Sequence, residues 1–393
     1  MNTLASIIRG QDQELQEIRA LPALPPIEDD DDILTGKITE SFRSNNQFVE
    51  FTGFTEGVIA NIAELVSPLT LLARTRGPMP KSSVSDMIIC YLLQYKVDAT
   101  TAQLAKIVNI SEGRFSKNVD RIRPVLLAAL QTRWAALLPR PHSDFVRDYN
   151  YAGLLVDAIT IECFRPEGRF EEAKHYWDGK NHIYGLKTEV AVTASRPHLY
   201  VTSSPHEPAS FHDYRIHKKN YRRYLDYLRK RPDEVALIND PNPNEEYWAL
   251  ILDKAYVGPR EDTPELRRIT PMKKPVTAAQ RASNVVISKE RVPVEQFFGR
   301  NGAKFVVYRR VYKFDHRHFD DDFAIACLLT NEDILISALA EEDLTAYNGL
   351  STKRQRDFDA EQEKEKSSRL RYKQNRAARL EKIGLYVPGP KKD

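Results

Sequence analysis

Residues 151–163 read YAGLLVDAITIEC. The run is apolar and rich in β-branched residues, so it reads as a largely buried strand. Asp157 interrupts it just after Leu154, Leu155 and Val156. Working outward, residues 184–194 and 198–203 read as further strands. Residues 248–252, WALIL, read as a short apolar strand that stops at Asp253. Tyr214 to Leu228, Val292 to Asn301 and Phe319 to Leu329 have helical spacing. Strands followed by helices predict a mixed α/β domain with a core sheet over 150–335. Between them, residues 257–291 hold Pro259, Pro264, Pro271 and Pro275 among many basic side chains, the pattern of an irregular exposed loop.

Upstream the pattern is helical and strand-poor. Residues 51–66 read as one helix that ends before Pro68. Val84, Met87, Ile88, Tyr91, Leu92 and Tyr95 mark another. Thr100 to Val108 reads as a short helix, Asn109 and Ile110 as its turn, and Ser111 as the cap of the next helix. That helix is expected to run to about Arg123, with Pro124 opening a further one. The spacing is that of a helix-turn-helix. On its second helix Phe115, Val119 and Ile122 fall on one side for packing. Arg114, Lys117, Asn118 and Arg121 are placed on the other as DNA-binding candidates. Arg and Lys reach phosphates or guanine edges, and Asn pairs with adenine. An ordinary amphipathic helix with a solvated basic face accounts for the same pattern.

The 393 residues carry 58 basic and 55 acidic side chains and are 41% hydrophobic, enough for real cores. The net charge of +3 hides a segregation. Residues 1–40 hold three basic and nine acidic residues, and residues 351–393 hold thirteen basic and seven acidic ones. The expected organisation is therefore an acidic, largely disordered leader (1–40), a helical helix-turn-helix domain (41–145), an α/β domain (150–335) and a charged, basic tail (336–393). The leader opens with a short amphipathic stretch, Leu4 to Leu21, before the acidic run 28–32. The plain reading of both ends is solvated chain. The sharper reading gives the tail electrostatic affinity for nucleic acid. No apolar run of about 18 residues is present, so no membrane span is expected, and the N-terminus lacks the pattern of a secretory signal. Three cysteines without a C-x-x-C pair exclude a Cys-type zinc finger and a disulfide scaffold. Cys90, Cys163 and Cys327 lie in apolar runs and are expected as buried thiols. A reducing compartment follows, which makes the sequon at Asn109 irrelevant.

Asp157 and Asp253 each follow a buried-looking strand. Two such strands side by side would bring both carboxylates to one sheet edge. Glu295, flanked by Val294, Phe297 and Phe298 on the later helix, would supply a third. Three gathered acids repel one another and make a poor structural choice. They suit hard divalent cations such as Mg²⁺ or Mn²⁺ acting on phosphates. Taken singly, each acid is also an ordinary cap or ion-pair partner. The segment 316–322, HRHFDDD, reads as a loop and an acidic helix start that the helix dipole favours. No G-x-x-x-x-G-K-[ST], H-E-x-x-H or G-x-S-x-G occurs, which argues against nucleotide hydrolysis, zinc protease and α/β-hydrolase chemistry.

Residues 154–160 (LLVDAIT), 176–187 (YWDGKNHIYGLK), 208–213 (PASFHD), 252–258 (LDKAYVG) and 292–300 (VPVEQFFGR) together resemble, in order and spacing, the DDE-type transposases of the PIF/Harbinger group. The resemblance covers about residues 150–335. Two departures stand out: Ala209 and Ala255 occupy places where the group usually has glycine. The resemblance implies an RNase H-like mixed sheet flanked by helices. It implies that Asp157, Asp253 and Glu295 are catalytic and hold two Mg²⁺ (or Mn²⁺) ions, with His212, Asp213, Lys254 and Tyr256 in support. It implies a substrate of double-stranded DNA at transposon terminal repeats and at a target site, assembly into a homo-oligomer and a Myb-like accessory protein. The place of action would be the nucleus in a eukaryote and the cytoplasm otherwise. A domesticated, transposase-derived nuclear DNA-binding protein stays open as the alternative to an active transposase.

Overall fold

A computed structural model describes residues 36–382, apart from 45, 73–81, 141–148, 233, 235–239, 241 and 243. The acidic leader to residue 35, its stretch Leu4–Leu21, and Lys391 and Lys392 of the tail lie outside the described residues.

The N-terminal half begins with α1 (Lys37–Ser44), α2 (Phe48–Thr52), α3 (Glu56–Leu72), α4 (Val84–Lys96), α5 (Thr101–Ile107) and α6 (Glu112–Leu137). The one helix expected over 51–66 is two. Gly53 takes φ 79° and caps α2 with its N–H on Val49 O, a conformation that glycine adopts without strain. Neither proline ends its helix: Pro68 lies within α3 and Pro124 within the 26 residues of α6. A proline interrupts one backbone bond. In α6 the buried face continues on both sides, from Phe115, Val119 and Ile122 to Leu126, Leu130 and Trp134, and that burial outweighs the missing bond. Ser83 caps α4, Thr100 and Gln103 form a capping box on α5, and Ser111 caps α6. Asn109 makes the α5–α6 turn at φ 54°. Met87 to Tyr95 are all buried, so α4 is buried on every side and forms the centre of this half.

The second half contains β1 (Ala152–Glu162), α7 (Phe170–Lys174), β2 (Trp177–Asp178), β3 (Ile183–Thr193), β4 (Tyr200–Ser203), β5 (Glu207–Pro208), α8 (Asp213–Asn220), a 3₁₀ turn (Tyr221–Tyr224), α9 (Leu225–Leu228), β6 (Ala249–Ile251), β7 (Arg267–Ile269), α10 (Ala278–Glu290), α11 (Val292–Lys304), α12 (Phe319–Ile336) and α13 (Glu341–Lys382). The sheet order is β2-β3-β1-β6-β7, with β4 and β5 also pairing to β3. β3 is antiparallel to β1, whereas β1, β6 and β7 run parallel. The fold is mixed α/β.

The segment 257–291 is not the irregular loop its prolines suggested. β7 reads as too basic for a strand, but it is a sheet edge, where one side needs no apolar partner. Arg267 there bonds Asp240 through both terminal nitrogens at 2.7 and 2.8 Å. Thr277 and Gln280 form a capping box that starts α10. The tail expected from 336 is mostly one 42-residue helix, α13. Its first turn lies so close to α11 that a Cβ on Gly299 would stand 1.8 Å from Asp343 O. Arg300 bonds the Asp343 carboxylate at 2.7 and 2.8 Å, and the Phe358 ring stacks on His182 at 3.6 Å.

The helical half and the α/β half share one core. Asp322, fully buried in the first turn of α12, accepts from Tyr91 on α4 (3.0 Å), Arg123 on α6 (2.7 Å) and Tyr312 (2.9 Å). The expected acidic start of this helix is present, and one of its acids is turned inward.

A candidate acidic active site

Strand register brings the first two acids together. Leu155 on β1 pairs with Ile251 on parallel β6. Asp157 and Asp253 each lie two residues further on, so they stand side by side at the same level. Asp157 Oδ1 also accepts the N–H of Ala158 at 2.9 Å. Glu295 arrives from the first turn of α11, which packs on β1.

One guanidinium meets all three. Arg291 sits at the junction of α10 and α11, one helical turn before Glu295. Its Nη2 is 2.5 Å from Asp157 Oδ2 and 3.8 Å from Glu295 Oε1, and its Nη1 is 3.3 Å from Asp253 Oδ1. Arg291 is 8% exposed, whereas the acid side chains keep 16% (Asp157), 32% (Asp253) and 28% (Glu295) of their surface, so the carboxylates open to solvent on a side that the cation does not. Burial pushes the Asp157 carboxyl up to about 6; Arg291 opposes this, while Asp253 and Glu295 add to it. Burial also raises Glu295, again against Arg291. For Arg291, burial works against the charge, and the three acids outweigh it and hold the guanidinium above its ordinary value.

Two features extend the site. Asp178 pins the β2–β3 turn, accepting from the N–H groups of Lys180 (2.9 Å) and Asn181 (3.1 Å) and from Thr160 Oγ1 (2.9 Å). This places exposed Lys180 where its charge favours ionised Glu295. On β3, Glu189 belongs to a fully buried polar cluster with His217 and Tyr224. Glu189 Oε1 accepts from the Tyr224 hydroxyl and faces His217 Nδ1 at 3.3 Å. Glu189 Oε2, His217 Nε2 and the Tyr256 hydroxyl have no hydrogen-bond partner.

The other expected site residues divide. Lys254 is exposed in the 3₁₀ turn directly after Asp253. Tyr256, in the same turn, is fully buried and cannot touch a DNA backbone. His212 caps α8, its Nδ1 accepting from Tyr214 N at 3.2 Å, and Asp213 accepts from Lys187 Nζ at 3.1 Å. Both therefore hold a turn, and neither bonds to one of the three acids. Ala209 and Ala255 keep negative φ, so no glycine is needed at either place. On α6, Lys117 is exposed and Arg114 and Arg121 are half-buried, with Arg114 bonded to Ser82 Oγ at 3.3 Å. Asn118 departs from the expected outward face. It is 4% exposed and directs Nδ2 at Cys90 Sγ, 3.6 Å away, so it cannot read a base. Helical spacing placed it on the outer face and does not show that α4 reaches round to cover this side.

Residues 156–331 match the family of DDE superfamily endonucleases. The matched span begins one residue before Asp157 and includes Asp253, Arg291 and Glu295. The match is a likeness to that superfamily over this segment, and it covers less than half of the chain. No curated protein and no solved structure matches the chain significantly. Among the described residues no helix is long and apolar enough to cross a membrane.

The superfamily implies divalent metal. Among the described residues, no group of three or more His, Cys, Asp and Glu side chains is already disposed around one ion. The donor set nonetheless fits such an ion. Hard carboxylate oxygens from three elements converge on a shared positive charge, and that charge, the Arg291 guanidinium, stands where a cation would be held.

Proposed function

We propose that the chain is a metal-dependent DNA endonuclease with an RNase H-like fold that acts as a transposase, cutting and joining DNA at the ends of its own element. One observation carries this reading: Asp157, Asp253 and Glu295, from β1, the end of β6 and α11, meet on a single cation. Three gathered carboxylates repel one another and cost stability, and such costs concentrate at functional sites. The motif at residues 176–187 supports the finer assignment to the PIF/Harbinger group.

Asp157, Asp253 and Glu295 would hold two Mg²⁺ or Mn²⁺ ions. When bound, the ions supply Lewis acidity to the attacking oxygen and to the departing 3′-oxygen. The chain's own residues do the rest. The shared β1–β6 register keeps the two aspartates level, and α11 fixes the height of Glu295. Lys180 and Lys254, both exposed at the rim, provide positive charge for the flanking phosphates. Lys117 is the exposed basic residue on α6 for DNA contact, with half-buried Arg114 and Arg121 beside it. Assembly as a homo-oligomer on paired ends, a Myb-like accessory protein and action in a nucleus belong to the same reading.

The test is nicking of supercoiled plasmid with Mg²⁺ or Mn²⁺ by the wild type and by Asp157→Ala, Asp253→Ala and Glu295→Ala. Loss of nicking in all three folded variants is expected. A variant that still cuts removes that acid from the site. A wild type that binds DNA but never cuts, even on terminal-repeat ends, favours a domesticated DNA-binding protein.

A further inference from the structure

We infer that Arg291 is an exchangeable counter-ion, holding Asp157, Asp253 and Glu295 together in the metal-free protein and giving way to a divalent cation. The inference rests on the reading of these acids as metal ligands, and it concerns the one basic group among the described residues that reaches all three.

Three features carry it. The first is exclusivity: every hydrogen bond of the Arg291 side chain goes to these acids, at 2.5 Å to Asp157 and 3.3 Å to Asp253, with Glu295 at 3.8 Å. Its Nε is buried without a partner, so nothing else anchors the head group. The second is space. A hard cation needs oxygens at roughly 2.0–2.6 Å. The guanidinium already contacts one oxygen of each acid, so an ion ligated through those same oxygens competes with it. The third is charge. Three carboxylates against one arginine leave the cluster short of positive charge, and a divalent cation supplies more of it than arginine does. The position at the α10–α11 junction lets the long side chain turn away without moving Glu295, whose backbone belongs to α11 proper.

The test is a calorimetric titration of Mn²⁺ into the full chain, paired with thermal melting with and without Mn²⁺. The proteins are the wild type, Arg291→Gln, Arg291→Lys and, to locate the site, Asp157→Asn with Asp253→Asn. Arg291→Gln should bind Mn²⁺ about tenfold tighter or more, because no buried cation competes. Its metal-free melting point should fall, and Mn²⁺ should raise it by more than in the wild type. If Arg291→Gln does not fold, Arg291→Lys decides, since lysine makes fewer bonds to the acids and should bind Mn²⁺ tighter than the wild type. Equal or weaker Mn²⁺ binding in a folded Arg291 variant, with wild-type binding still dependent on Asp157 and Asp253, overturns the exchange and leaves the endonuclease reading standing. Wild-type binding that ignores both aspartates overturns the two together.

Discussion

Arg123 Nε on α6 lies 2.7 Å from Asp322 Oδ1 on α12, an ion pair that ties the helical half to the α/β half inside their common core. Breaking one partner of a buried pair leaves an uncompensated charge. Asp322→Ala should cost about 3–5 kcal/mol. Arg123 keeps exposed Asp120 as a second partner at 3.0 Å, which places the expected loss toward the lower end. Urea unfolding measures it, and a loss below about 1 kcal/mol would show that the two halves do not depend on this joint.

Asp157 implies a specific pH dependence in metal-free protein. Its carboxyl is raised from an ordinary 3.8 to about 6, so the folded state keeps that proton to higher pH than the unfolded chain. The associated stability is complete below the unfolded value and is lost as the pH rises through about 6. Asp157→Asn should flatten this falling limb by an amount on the order of 1–3 kcal/mol between about pH 4 and 7. Chelator-treated protein followed by denaturant melts across that range tests it; parallel curves would place the ionised aspartate in a less costly setting.

The buried Tyr256 hydroxyl separates a packing role from a DNA-contact role. It has no partner, so Tyr256→Phe should be neutral or stabilising by up to about 1–2 kcal/mol. DNA affinity should not change. A drop in affinity at unchanged stability would contradict the buried placement.

On α6 the neighbours Lys117 and Asn118 should behave oppositely. Lys117→Gln should leave stability within about 0.5 kcal/mol of wild type. If the helix lies on DNA, that change should also reduce the salt slope of binding by about one unit. Asn118→Ala opens space beside Cys90 and should lower stability without changing the slope. Fluorescence anisotropy over a salt series, beside thermal melts, resolves the pair.

Gly299→Ala should loosen the crossing of α11 and α13. The added Cβ would stand 1.8 Å from Asp343 O, a contact with backbone rather than with a movable side chain. Faster amide exchange in the first turns of α13 is expected, together with a stability loss of about 1–3 kcal/mol. Unchanged exchange would mean that the crossing can widen at little cost.

The acids were readable because each sits where a simple rule breaks. Asp157 interrupts the apolar strand β1, Asp253 follows the apolar strand β6, and Glu295 sits among Val294, Phe297 and Phe298. The partner of all three was not readable in the same way. Arg291 is one arginine in a basic stretch, and only the meeting of β1, β6 and α11 in space distinguishes it; its place four residues before Glu295 was the available clue. β7 was hidden because an edge strand does not need the apolar pattern that marks a central one. Pro124 misled because local backbone preference yielded to the continuous burial of α6 on both sides of it. Asn118 shows the limit of helical spacing, which gives angles around an axis and not how far a neighbouring helix extends.

Beyond the ring of Phe358, where α13 leans on His182, the 24 residues from 359 to 382 continue as one helix whose described side chains are mostly exposed. At a rise of 1.5 Å per residue that is a strut of about 36 Å. Its outer part carries Arg369, Arg371, Lys373, Arg376 and Arg379, with Glu381 as the opposing charge before Lys382. Anchored only near its start, such a rod holds its basic side chains at fixed distances from the α11 crossing, well away from the core.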